Sequence, residues 1–222
     1  MVDRLLQFWL YREQYDDTTW LDENFEMVWN MIHQQNNPAW ESTVEREEVL
    51  AETMLGLHNA VRMLKELDLK RYQLVAQPHF FEQIHSDFAI TGAADLLMLA
   101  YERDEHVLID FKNAHNRDRM TRDQLLIYQM GLEKSLDIKI ARAGYLLFNP
   151  RLQQWKWIPM NPVHRERLKD KLAEATYQVE SGQFKFKYNY YSCSRFCDAR
   201  FACEKYKRGD QRIYETHPVY HI

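Results

Sequence analysis

Apolar positions recur along residues 1–70 at three- and four-residue spacing: Leu5, Leu6, Phe8, Trp9, then Val49, Leu50, Met54, Leu57, Val61 and Leu64. That period belongs to helices with one buried stripe. The stretch "NNPAWEST" at 36–43 interrupts it, and Ser42 or Thr43 is placed to cap the helix that follows. From Tyr72 the texture changes. "YQLVAQPHFF", "FAITGAADLLMLAY" and "HVLIDFK" read as three successive strands, with "ERDE" at 102–105 as a polar turn. "TRDQLLIYQMGLEKSL" returns to the helical period behind Thr121, "IKIARAGYLLF" and "QQWKWIPM" read as strands, and a last helix runs from near Pro162 to Gly182. The expectation is an α/β domain with a central sheet flanked by helices. It divides into a helical region over 1–70 packed on the core, a core over 71–182, and a cysteine-bearing segment over 183–222, all one integrated domain.

Charge alters this picture at one strand. Val107-Leu108-Ile109 ends in Asp110-Phe111-Lys112. Successive side chains of a strand alternate faces, so Asp110 and Lys112 point one way and Phe111 the other. Charges at the end of a buried strand are paired or bind an ion. Fifteen residues earlier Asp95 stands alone in the apolar "ITGAADLLML". If the two strands form a hairpin through the 102–105 turn, both acids lie about equally far from its centre and become cross-strand neighbours able to reach one ion. Hard oxygen ligands suit Mg²⁺ or Mn²⁺. Gln124 and Tyr128, at i and i+4, share one face of the next helix, with Arg117, Arg119 and Arg122 nearby in sequence. Gly92 would let a strand kink or a ligand approach closely.

The ordered set "GAAD" (92–95), "LIDFK" (108–112) and "QLLIY" (124–128) resembles the PD-(D/E)XK nuclease superfamily, in its RecB-like branch. It is most similar to the CRISPR-adaptation exonucleases and their bacteriophage relatives. The resemblance implies a restriction-endonuclease-like central mixed sheet flanked by helices. It also implies a metal-dependent DNA nuclease, an exonuclease on single-stranded DNA or DNA ends in phage recombination, repair or CRISPR-type adaptation. In that family the acids and the backbone carbonyl between the second acid and the lysine hold the metal, which here assigns Asp95, Asp110 and the Phe111 carbonyl. Lys112 polarises water and phosphate, and Gln124 and Tyr128 contact DNA or support the lysine. An early histidine often completes the metal site, and His58 in "GLH" is the candidate; Glu82 is another. Arg117, Arg119 and Arg122 would hold the DNA backbone. A catalytically inactive DNA-end-binding or assembly subunit with the same fold is the alternative.

Cys193, Cys197 and Cys203 crowd into eleven positions, in a segment where Lys and Arg interleave with Tyr and Phe although the whole chain carries a net charge of −4. Clustered thiols favour zinc or iron–sulfur ligation over a structural role. C-x3-C-x5-C is similar to the carboxy-terminal cysteines that, in the same family, join an amino-terminal cysteine around a [4Fe–4S] cluster. The chain holds no fourth cysteine. Four explanations stand open: a histidine ligand, an open iron, a degenerate site, or a chain that begins downstream of its true start. Trp155 and Trp157 alternate on one strand face and read as packing over the sheet. No long apolar run or signal-like terminus occurs, so the expectation is a cytoplasmic protein, in a bacterial, archaeal or phage-infected cell by the same resemblance, with no membrane contact and with DNA and recombination or CRISPR-adaptation proteins as partners.

Overall fold

The structure, a computed structural model, describes residues 2–12, 15–36, 42–75, 78–86, 88–114 and 120–182. Three helices come first: α1 (Val2–Tyr11), α2 (Thr19–Asn36) and α3 (Thr43–Lys65). Ser42 caps α3, its hydroxyl accepting from the Glu45 N–H at 3.1 Å, which satisfies one of the donors a helix start leaves open. The strands β1 (Tyr72–Val75), β2 (His79–His85), β3 (Phe88–Ala93), β4 (Leu96–Ala100) and β5 (Glu105–Lys112) follow. Then come α4 (Arg122–Leu136), β6 (Ile140–Asn149), β7 (Leu152–Ile158) and α5 (Pro162–Glu180). Among the described residues no helix is long and apolar enough to cross a membrane.

The main sheet runs β1-β4-β5-β6-β7, with β5 and β6 parallel and the other neighbours antiparallel. A parallel pair needs a long crossover, and α4 supplies it. Strand alternation divides the core into two layers. Val107, Ile109 and Phe111 face a cluster with α1, α2 and α3 on one side of the sheet. Leu108 faces a second cluster that includes Leu125, Leu126 and Met130 of α4 and Leu168 of α5. Trp155 and Trp157 stack with ring centroids 5.6 Å apart and pack against the first cluster.

Two of the expected long strands are each broken in two. "YQLVAQPHFF" yields β1 and β2, and "FAITGAADLLMLAY" yields β3 and β4. β2 and β3 leave the main sheet and form a two-stranded sheet of their own. Pro78 stands at the break with no N–H for a ladder, and its carbonyl accepts from the Ala94 N–H at 3.1 Å. Asp95 is therefore the residue at which the hairpin turns from one sheet to the other.

The two-stranded sheet packs against α4 through a central ring. Phe80 of β2 sits opposite Gly92 of β3 and against Gly131 of α4. A Cβ on Gly92 would stand 2.8 Å from Phe80 Cζ, and one on Gly131 would overlap the ring outright. Gly92 thus leaves room for the approach of a phenylalanine. The chain divides into two compact units, Met1–Ala173 and Glu174–Ile222, and every site residue described below lies in the first.

Gly131→Ala tests the slot. In an open helix the change would gain about 1 kcal/mol from helix propensity, whereas overpacking a closed core costs about 1–3 kcal/mol. The expected outcome is a net loss of stability in urea unfolding, partly recovered by adding Phe80→Leu. A Gly131→Ala protein as stable as the parent, or more so, would rule out the slot.

Candidate active site

β4 and β5 pair antiparallel with Leu96 opposite Ile109, so the next positions in that register are Asp95 and Asp110. Both acids belong to the α4-facing side, with Leu97 and Leu108. The hairpin count made from the sequence lands on this geometry. Asp95 Oδ2 accepts from the Phe111 N–H at 2.7 Å, and the Asp95 carbonyl accepts from Gln7 Nε2 of α1 at 2.8 Å. The two strand ends and the first helix are thereby tied at one point.

Asp110 is buried, which is unusual for a carboxylate without strong partners. Its Oδ1 accepts from Gln124 Nε2 at 3.1 Å, and Lys112 Nζ stands 2.7 Å from its Oδ2. The lysine satisfies Oδ2 as a charge, but not with the alignment of a hydrogen bond. Gln124 Nε2 also donates to Tyr128 Oη at 3.0 Å, and Tyr128 meets Phe80 edge-on with centroids 6.0 Å apart. The i, i+4 pair predicted on α4 thus turns its polar edge to the buried acid, fixed from behind by the ring that joins the small sheet.

These five residues, Asp95, Asp110, Lys112, Gln124 and Tyr128, line one cavity of about 450 Å³. Its remaining wall includes Val2, Trp29, Thr53 and Phe148, with Asn113 beside the lysine. Sequence spacing carried no signal for that wall or for Gln7, because all of them reach the site through tertiary packing. Tyr145 was also missed. It stands beside Asp110 in the parallel register, gives its hydroxyl proton to the Thr121 carbonyl at 2.7 Å, and has Lys112 Nζ 5.8 Å from its ring centroid. Burial first, and the nearby Asp110 charge second, hold the Tyr145 hydroxyl well above the ordinary tyrosine range. Thr121 therefore opens α4 by position and by its carbonyl, while its side chain makes no capping bond.

Other candidates lie elsewhere. His58 Nε2 is 2.9 Å from Asp22 Oδ1 and does not line the cavity; the structure does not bring it to the carboxylates. Glu82 stands 3.9 Å from Lys134 Nζ, also away from the cavity. Arg122 is half-buried at the start of α4, with its Nε lacking a hydrogen-bond partner among the described residues, and does not line the cavity. Arg117, Arg119, Cys193, Cys197 and Cys203 fall outside the described residues.

The donor set bears on metal binding. Among the described residues no group of three or more His, Cys, Asp or Glu side chains converges. Two carboxylates line the same cavity, one with a buried oxygen that has a charge beside it and no aligned proton. Two carboxylates with remaining positions left to water and substrate match the habit of Mg²⁺ or Mn²⁺ and not that of zinc.

No family model matches the chain, and no curated protein does. Among solved structures, the crystal structure of SSO0001 aligns with a TM-score of 0.42 at 15% identity, over 82% of this chain and 78% of that one. A likeness of that order carries no argument about fold or function.

Burial holds the Asp110 carboxyl above the ordinary carboxylate range, and Lys112 pulls it partly back. A carboxyl that keeps its proton more tightly when folded favours folding at low pH, and that contribution is lost as pH rises through the folded-state pKa. Asp110→Asn has no such proton. It should melt higher than the parent at neutral pH, with the gap narrowing as pH falls toward about 4. Equal melting temperatures across that range would mean that Lys112 offsets the burial completely.

Proposed function

We propose that this protein is a metal-dependent phosphodiester hydrolase acting on DNA, with the restriction-endonuclease-like fold and RecB-like site of the PD-(D/E)XK nucleases. The observation that carries this reading is the buried Asp110, ion-paired with Lys112 and facing Asp95 across the hairpin, on the floor of a cavity open to a ligand. A structural ion pair would not need a second acid, a bridging glutamine and a cavity at the same point.

Asp95, Asp110 and the Phe111 carbonyl would hold Mg²⁺ or Mn²⁺. Bound there, such an ion lowers the pKa of water and neutralises phosphate charge. Lys112 reaches from Asp110 toward the phosphate oxygens and stabilises charge that develops on them. Gln124 keeps Asp110 Oδ1 in place, and Tyr128 keeps Gln124.

The substrate in this reading is single-stranded DNA or a DNA end, bound without sequence reading. Arg117, Arg119, Arg122 and the basic segment after 182 would hold its backbone electrostatically. The three cysteines and any [4Fe–4S] or zinc site remain part of the proposal drawn from the resemblance, and no step above uses them.

The test is cleavage of end-labelled single-stranded DNA by anaerobically purified protein, in Mn²⁺ or EDTA. The expected outcome is Mn²⁺-dependent cutting that drops by roughly 100-fold or more in Asp110→Ala and in Lys112→Ala, each still folded. A variant that cuts at the parental rate would overturn the site. Tight DNA binding without cleavage in every protein would instead identify a non-catalytic end-binding subunit.

A further inference from the structure

We propose that Asn113 is a phosphate-binding residue of this cavity, its side-chain NH₂ donating to a non-bridging oxygen of the DNA backbone. The proposal rests on the nuclease reading above and adds a substrate contact to it.

Asn113 follows Lys112 at the end of β5, is exposed, and lines the same cavity as the two acids. Its amide orientation is dictated by a relay. The Arg151 N–H donates to Asn149 Oδ1 at 2.9 Å. A backbone N–H has only a proton to offer, so the atom it meets must be the amide oxygen. Asn149 Nδ2 therefore lies on the other side, where it donates to Asn113 Oδ1 at 2.6 Å. Asn149 is buried, which makes any reversal of this relay costly. Asn149 does not line the cavity, so the oxygen of Asn113 is engaged from outside it and the NH₂ is the end of the amide left for a ligand.

Among the side-chain amides that line the cavity, Asn113 is the one whose NH₂ the described residues do not engage. Gln124 Nε2 is spent on Asp110 and Tyr128. Thr53 gives its hydroxyl proton to the Val49 carbonyl at 2.6 Å. Lys112 is paired with Asp110. Among the described residues no acceptor meets Asn113 Nδ2. A neutral, fixed donor beside the lysine suits a ligand with negative, acceptor-only oxygens, and asparagine is among the side chains that donate to backbone phosphates in DNA complexes. It attracts the anion without competing for the carboxylates.

The test compares the parent, Asn113→Ala and Asn113→Asp. Binding of end-labelled single-stranded DNA is followed by fluorescence anisotropy in EDTA, and KM and kcat are measured in Mn²⁺. If Asn113 donates to phosphate, Ala weakens binding by roughly 10-fold, the loss of one hydrogen bond to a charged group. Asp, which puts a negative oxygen where the NH₂ stood, weakens it further, and KM rises in the same order while kcat changes little. A purely structural role reverses that order, because Asp still accepts from Asn149 Nδ2 and Ala does not. Parental binding in both variants, or the reversed order, overturns the proposal. Should Ala fail to fold, Asp carries the test alone, since it keeps the Asn149 bond: weakened binding supports the proposal and parental binding overturns it. A folded parent that neither binds nor cuts DNA overturns the nuclease reading as well. A parent that binds and cuts alongside indifferent variants overturns only the role of Asn113.

Discussion

The structure turns on keeping one carboxylate, Asp110, inside a layer that is otherwise hydrocarbon. Leu108, Leu125, Leu126 and Tyr145 belong to the same buried cluster on that side of the sheet. Desolvating an ionised acid there is unfavourable. Lys112 offsets part of that cost by charge and Gln124 by a hydrogen bond. The offset is incomplete, as the raised pKa of the carboxyl records. A core assembled for stability alone would place leucine at this position. Departures of this kind from local consistency concentrate where a protein does chemistry.

The neighbouring elements are arranged around that departure. The hairpin breaks at Pro78 and Ala94, so the second acid arrives at the point where the backbone changes sheets. Asp95 is then anchored twice, by the Phe111 N–H and by Gln7 of α1. Gln124 is anchored by Tyr128, and Tyr128 rests on Phe80, which needs both Gly92 and Gly131 to be without side chains. A two-stranded sheet whose described residues do not line the cavity thus sets the orientation of a glutamine at the acid. In the proposed reaction its packing would be part of the site, since small losses of position in a reacting geometry are amplified in rate.

What could be read from the chain follows the range of each signal. The shared face of Asp110 and Lys112 was legible because strand alternation has a period of two and needs no partner. The Asp95–Asp110 pairing was legible because a hairpin is symmetric about its turn. The i, i+4 pair on α4 was legible for the same local reason. The break of the hairpin was marked only by Pro78, and the use of Gly92 by nothing, because that use depends on a ring arriving from another strand. His58 had the right residue type and the wrong neighbours: it pairs with Asp22 on α2. Tyr145 and Asn113 depend on how β5 lies beside β6, and local spacing does not encode the register of a parallel pair joined through a helix.

The position of the cavity has its own explanation. β5 and β6 run parallel and end close together, at Lys112 and Asn149. At the carboxyl ends of parallel strands the ladder stops, the chain departs in different directions, and a crevice is left whose rim carries side chains from several elements. Buried strand interiors give rigidity, and the last residues of the strands give access. Asp110 lies two residues inside that edge, Lys112 on it, and Asn113 one residue beyond. The gradient in burial along those positions follows: Asp110 is buried, Lys112 intermediate and Asn113 exposed. The innermost group holds the most unfavourable charge where it cannot move. The outermost, oriented by a buried asparagine on the adjacent strand, meets what comes from solvent. Shifting the whole set by one residue would send every side chain to the opposite face, so the parallel pair and the site stand or fall together.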